Sequence, residues 1–527
     1  MQREELIELG GSDLLNIKEI LSKFNTNFSS CFDLSILGNQ WEDLWSIFFT
    51  LLKDPSKILV FSEILSCVRI LTRDKEKIVN CVSQDDFETL SVLANLGVNK
   101  RQGHEEAHTQ VTIEALKCLC NVIFLSPQCR KYCMKNNTVA EGILQRIKFA
   151  NPENHEISLH DTKLLFLITA LEPHSRTKIR DDLNGMVYLT EWLNNKLSVY
   201  CGAKELELIC EILKLMFNIT ANPDKTPDGN ENEIQYRHIT FIVRNLIYKF
   251  GELKNPSEKA VIMHSINLLS NISTVCITEL INRPESSHVL EDIYEGKCIG
   301  VLKVIMNYLR IMLLENPSSR EGISPILTVL VKCARSNRVM RHYIRLVVLP
   351  PLKRNDVLQR PEIGDELRNH LCRFLTSPDT TLRDLSADLL FVCCKENVNR
   401  MIKYTGFGNA AGLLAGKGML DCRRVENTDY SSDSEDSDTE EYKHVQSEIN
   451  PVLGCREVAK PNPLDSMSDE QKEYESEQLL KLMHQLQQTG IFQPARIGPD
   501  GTPIPVEHLL ELQEELPQQQ FQQKRKS

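Results

Sequence analysis

Apolar residues along this chain recur at spacings of three and four, and few stretches alternate apolar and polar with a period of two. That pattern predicts helices and argues against a sheet. Within it lies a repeat. Leu116-Lys117-Cys118-Leu119-Cys120-Asn121-Val122, Leu213-Lys214-Leu215-Met216-Phe217-Asn218-Ile219 and Ile266-Asn267-Leu268-Leu269-Ser270-Asn271-Ile272 share one frame. Each places apolar residues five and two positions before an Asn and a β-branched residue after it. Val68, Leu71 and Arg73 fit the frame, as do Leu164, Leu167 and Thr169, with another polar residue in the Asn place. The anchors 73, 121, 169, 218 and 271 are spaced by 48, 48, 49 and 53 residues, and a fainter copy ends at Arg335. Armadillo and HEAT units run to about 40–47 residues. The fold expected is therefore all-α, an armadillo/HEAT-type right-handed superhelical solenoid over 1–425, with Gly, Pro, Asn and Asp marking loops such as 75–110 and 221–236.

Residues four apart share a helix face. The anchors and the residues four before them predict one ladder of Arg69, Arg73, Lys117, Asn121, Lys214, Asn218, Asn267 and Asn271, none of them acidic. In armadillo folds such a ladder lines the concave groove. Asn there can clamp a peptide's main-chain amides, and Arg or Lys favours an anionic segment or a terminal carboxylate. The plainer alternative is a solvated helix face.

Helical pattern continues through 360–375 and 382–394 and ends near Leu414. Thr405-Gly-Phe-Gly-Asn-Ala-Ala-Gly412 suggests a dinucleotide loop, but Ala411 stands where the third Gly belongs and no strand pattern precedes it. It reads as a tight turn into the last helix. Ser468 and Gln471 form a capping-box signature, which predicts a helix over 468–490 with Gly490 as its stop. Leu479, Leu482, Met483 and Leu486 make an apolar stripe on it, fit to fold back on its own domain or to support a partner. A flexible Gln-rich tail is expected over 491–527.

Composition sharpens this picture at one place. The formal charge is −11, but eight acids and no Lys or Arg lie between Glu426 and Glu441; without them the rest carries −3. Nucleic acid is a poor partner for such a chain. Residues 426–467 read as an acidic, Pro-containing linker, disordered at least through 448 by composition. Ser432 and Ser437 each have a Glu three residues on, the spacing an acidophilic kinase of the casein kinase II type selects. Phosphorylation would favour docking on a basic solenoid face, as against a solvated linker. Seventeen cysteines without a signal-peptide pattern point to free thiols in a reducing, cytoplasmic setting. No apolar run reaches the roughly 20 residues of a membrane span.

Catalytic signals are missing: no phosphate loop, nucleophile elbow or zinc motif is found, and no enzyme activity, metal or cofactor is expected. Cys118, Cys120, Cys129 and Cys133 come nearest to a metal set, yet Cys118 and Cys120 would point about 200° apart on one helix.

Seven segments carry a resemblance: CVRILTRD (67–74), ALKCLCNVIF (115–124), KLLFLITAL (163–171), EILKLMFNIT (211–220), RPEIGDELRN (360–369), IKYTGFGNAAGLL (402–414) and DSDTEEYK (436–443). In this order they resemble the synembryn family, chaperones and exchange factors for heterotrimeric G protein α subunits. The resemblance runs from about residue 60 to 490 and implies the following. Monomeric GDP-bound or nascent α subunits, not the intact heterotrimer, would be the partner. Their C-terminal helix would enter the concave groove, GDP would leave, and the nucleotide-free state would be held until GTP binds. Arg69, Arg73 and Asn121 match family groove contacts by position, and Asn218 lies further along. The helix at 469–489 resembles the element that supports the empty α subunit. Ser432 and Ser437 align with two phosphorylation positions, one of which is commonly Thr. Such a protein would be cytoplasmic and recruited to the cell cortex or plasma membrane through its partner. The competing expectation is an armadillo scaffold or transport adaptor that holds a peptide without exchange activity. Arg73→Glu is expected to weaken α-subunit binding and leave the fold intact.

Overall fold

The computed structural model describes residues 8–505 except 12, 39, 97–104, 137, 150–153, 198–201, 222–229, 284–291, 418–438, 458–462, 490–494 and 498–502. The chain divides into two units, 1–456 and 457–527.

The first unit is an all-α solenoid built on one continuous row of helices. These are α1 (Leu14–Phe28), α2 (Phe61–Leu71), α3 (Glu105–Leu125), α4 (His155–Leu171), α5 (Ala203–Thr220), α6 (Pro256–Asn271), α7 (Arg320–Ser336) and α8 (Thr380–Cys393). Each packs against the next, and helices that intervene in sequence, among them Gln40–Lys53, Asn230–Lys249 and Gly300–Glu315, pack against the row. The row is what the sequence repeat marks, because every anchor falls in the last turn of a row helix or just beyond it. The apolar positions five and two before the anchors supply the shared core. Val68, Leu71, Leu116, Leu119, Leu213, Met216, Ile266 and Leu269 are all buried, and Leu167 packs half-buried against them.

Local chemistry sets the helix ends. Asn154, Asn255, Ser319 and Asp379 accept hydrogen bonds from the first free N–H groups of α4, α6, α7 and α8. Opposite ends, where carbonyls are left over and the dipole is negative, recruit cations. Arg130 donates to the carbonyls of Ile123 and Phe124. Lys332 donates to those of Ser270 and Ile272 at 2.6 Å each.

Past α8 the structure departs from the composition. Residues 439–456, assigned above to a linker, belong to the first unit. Thr439 caps a short helix, α9 (Glu440–Val445), and its Oγ1 donates to the carbonyl of Leu352. Tyr442 and Val445 are buried in the core. Ile449–Asn450 and Cys455–Arg456 pair as a two-residue hairpin. Between them, the turn at 451–454 sits on the N-terminus of the Phe407–Gly416 helix. The N–H groups of Phe407 and Gly408 donate to the carbonyls of Pro451 and Val452, each at 2.9 Å. Gly406 and Gly454 have φ of +74° and +68°, and a Cβ on either would lie 3.0 Å from the other's backbone. The acids that dominate the composition lie mostly before Thr439; the apolar anchors Tyr442 and Val445 come just after. The Thr405–Gly412 stretch is thus a turn into a helix whose first two N–H groups are already taken by the chain itself.

Two more short hairpins, Ile293–Tyr294 with Lys297–Cys298 and Ala495–Ile497 with Pro503–Pro505, qualify the expectation of no sheet. The second lies within the stretch read as a tail. In the second unit a helix, α10 (Asp469–Gln488), begins with the capping box: Gln471 N donates to Ser468 Oγ and Ser468 N to Gln471 Oε1, both 3.2 Å. Among the described residues no single helix is long and apolar enough to cross a membrane.

Candidate functional site

Four successive row helices, α2 to α5, turn one face onto a common hollow of about 480 Å³. Arg69 and Arg73 come from α2 and the turn after it; Lys117, Cys120 and Asn121 from α3; His160, Lys163, Phe166 and Leu167 from α4; Glu211 and Lys214 from α5. Spacings of three and four within each helix put these side chains on one face. Five of the expected ladder residues, Arg69, Arg73, Lys117, Asn121 and Lys214, therefore line one cavity. Asn218, Asn267 and Asn271 do not line it and follow further along the row.

The Asn anchors do something the spacing did not reveal. Asn121 Nδ2 donates to Thr72 Oγ1 at 2.8 Å. Asn218 Nδ2 donates to Thr169 Oγ1 at 3.2 Å and to the carbonyl of Phe166. Asn271 Nδ2 donates to the carbonyl of Phe217 at 2.9 Å and to Thr220 Oγ1 at 3.1 Å. Each is a clasp from one repeat to the end of the previous row helix. Asn218 and Asn271 each place their amide nitrogen on two groups of the protein, whereas Asn121, which lines the hollow, makes one such bond.

Arg73 is also engaged. Its guanidinium donates to the carbonyls of Phe28, Ser29 and Cys31, at 2.7–3.0 Å, and lies 5.2 Å from the centre of the Phe32 ring. It closes the C-terminus of α1 while lining the hollow, so a charge reversal there is expected to destabilise the fold as well as alter the site.

The ladder has acids beside it. Glu114, buried, takes Arg69 Nε at 3.0 Å and Lys117 Nζ at 3.0 Å. Glu156 reaches Lys117 at 2.8 Å, Glu211 reaches Lys214 at 2.7 Å and Glu207 reaches Lys163 at 3.0 Å. Burial weakens the charge of Lys117, but the hydrogen bonds to Glu156 and Glu114 outweigh it and raise its pKa. The same bond to Lys117 lowers that of Glu156. Glu114 and Glu211 lie seven residues before their anchors, two turns back on the same face, and three before the lysines. That spacing was the available signal for them. His160 and Lys163 were missed because the repeat carries no polar residue four before Thr169.

The residues that line the hollow are mostly cationic, Arg69, Arg73, Lys117, Lys163 and Lys214 with Glu211, while Glu114, Glu156 and Glu207 pair with three of these cations from beside it. Phe166 and Leu167 add an apolar wall. Such a surface can hold a segment that joins a carboxylate to apolar side chains. The cysteine set does not gather: Cys118 Sγ donates to the carbonyl of Leu65 and Cys120 Sγ to that of His160. Among the described residues no group of His, Cys, Asp and Glu is placed to hold a metal. Ser432 and Ser437 lie outside the described residues. On α10, Leu479, Leu482 and Leu486 are exposed and Met483 half-buried.

With this geometry established, comparison with known proteins is specific. The profile of the Ric8 family, described as guanine nucleotide exchange factor synembryn, matches residues 64–502. Chaperone Ric-8 of Drosophila melanogaster is 46% identical over 578 residues, covering 100% of both chains. Chaperone Ric-8A of Gallus gallus is 34% identical over 525 residues, 96% of this chain and 95% of its own. A solved structure, "A conserved phosphorylation switch controls the interaction between cadherin and beta-catenin in vitro and in vivo", has a TM-score of 0.52 at 15% identity. It covers 78% of this chain and 71% of its own and is a likeness of fold alone. An armadillo-type row whose repeat frame, C-terminal turn and helical tail all fall within one family's profile leads to a single assignment: the chain belongs to the synembryn (Ric8) family.

Proposed function

We propose that this chain is a chaperone and guanine nucleotide exchange factor for heterotrimeric G protein α subunits, and that it grips them through the hollow between α2 and α5. The observation that carries this reading is the cationic, partly apolar hollow at the positions where the family resemblance places its groove contacts. The C-terminal segment of a GDP-bound or nascent α subunit enters with its carboxylate toward Arg69, Arg73 and Lys117 and its apolar side chains toward Phe166 and Leu167. No chemistry is required of the protein. A binder that prefers the nucleotide-free conformer over the GDP-bound one speeds GDP release, and GTP reverses it through its own preference for the other conformer. The same preference shields a partly ordered α subunit from aggregation.

The exposed stripe Leu479, Leu482 and Leu486 supports the empty α subunit at a second place. Ser432 and Ser437 are the sites of an acidophilic, casein kinase II-type kinase. The protein acts in the cytoplasm in G protein-coupled receptor signalling and reaches the cell cortex through its partner.

The test is GTP-analogue binding to purified GDP-loaded α subunits with and without the full chain. Acceleration is expected. A scaffold or adaptor that only holds a peptide would bind the α subunit and leave its exchange rate unchanged, which would overturn the exchange reading.

A further inference from the structure

His160 stands on α4, one turn after Glu156 and one before Lys163, with its side chain in the wall of the hollow. Across from it on α3 are Lys117 and the buried Glu114. From α5 come Glu207, Glu211 and Lys214, and from α2 Arg69 and Arg73. The acids near it already hold cations: Glu114 and Glu156 hold Lys117, Glu207 holds Lys163 and Glu211 holds Lys214. Burial first, and then the charges of Lys117 and Lys163, push the His160 imidazole down to about 4, so it is neutral at physiological pH. A neutral imidazole in a cationic cavity is an acceptor without charge until an anion arrives.

We propose that His160 is a proton-taking contact for the carboxylate held in the hollow, so that the site binds a carboxylate and a proton together. This rests on the groove reading above and adds its pH dependence. A carboxylate placed about 4 Å from an imidazole, at the effective dielectric of a protein surface, favours the protonated ring by roughly a thousandfold. That is enough to bring a ring suppressed by burial and two lysines back into titration near neutral pH. The proton is gained on binding, so affinity rises as pH falls from about 8 toward 6. The occupied site then presents a pair of opposite charges where the empty one presents a neutral ring.

Calorimetry decides it, with the full chain and a synthetic peptide that copies the carboxyl-terminal segment of a G protein α subunit and ends in a free carboxylate. Titrations at pH 6.5 in two buffers of different ionisation heat report protons exchanged. The expected result is uptake of roughly three-quarters of a proton at pH 6.5 and an affinity about threefold higher at pH 6.5 than at pH 7.5. His160→Gln should bind without the uptake, and the same peptide with an amidated terminus should lose the uptake on the unaltered protein. Binding of the free-acid peptide with no dependence on buffer, or uptake that persists with the amide, overturns the proposal and leaves the groove reading standing. Failure of the free-acid peptide to bind at all removes both.

Discussion

At the scale of single residues, polar side chains on the row face divide into clasps and contacts. Asn218 is nine-tenths buried and satisfies two groups of the preceding repeat, whereas Asn267 lies half-buried off the hollow. Removing one partner of a buried hydrogen bond costs about 1–3 kcal/mol, so Asn218→Ala should lower the apparent stability by that amount in urea titration. Asn267→Ala should stay within about 0.5 kcal/mol of the parent. Arg73→Ala should lower the melting temperature through the loss of α1's closure, which makes Lys163→Glu the cleaner probe of binding. Two histidines give the fold a pH signature. Burial, with Lys117 and Lys163 beside His160 and Lys214 beside His264, holds both imidazoles down at about 4, below the ordinary value of 6.5. Groups whose folded pKa is lowered contribute stability that is present above 6.5 and lost as pH falls toward 4. Thermal unfolding should therefore show a falling melting temperature over that window, and the His160→Gln, His264→Gln double variant a flatter one.

Among elements, the row helices were legible and the strap that follows them was not. Three residues per repeat sufficed to find α2 to α7, because burying one face forces apolar residues into the same places in each turn. Five of the eight ladder residues meet in one hollow for the same reason. What escaped was anything that depends on the neighbouring repeat: the Asn clasps, the pairing of Arg69 with Glu114, and the closure of α1 by Arg73. Sequence spacing describes one helix, and these contacts cross between two. Residues 439–456 escaped for a different reason. Composition averages over a window, and here acids outnumber the two apolar anchors that do the packing. Gly406→Ala tests the strap directly: its Cβ would press on Leu453 and Gly454 in a backbone conformation unfavourable to any side chain. Faster hydrogen exchange over 407–416 and 439–456 is expected, with the row helices α2 to α5 unaffected.

Over the whole molecule, binding should carry the mark of its electrostatics. The chain is acidic overall, yet the lining of the hollow is cationic. Exposed charges lose most of their reach once the Debye length falls from about 10 Å at 0.1 M salt to about 3 Å at 1 M. Affinity for an α subunit should therefore drop as salt rises, and Lys163→Glu should both weaken binding and shrink that dependence. A salt-independent affinity would place recognition outside the hollow.

The arrangement of the clasps also has a consequence for synthesis. Asn121, Asn218 and Asn271 each reach back 49–51 residues to a threonine already made. At about 5–20 residues per second on the ribosome, a repeat emerges every few seconds and finds its docking surface waiting. The solenoid can thus be assembled in order, each unit secured as it appears. The 407–416 helix cannot, because the carbonyls that receive its first N–H groups lie some forty residues downstream, beyond the acidic stretch. Until the ribosome has passed residue 454, the nascent solenoid has a finished front and an open back.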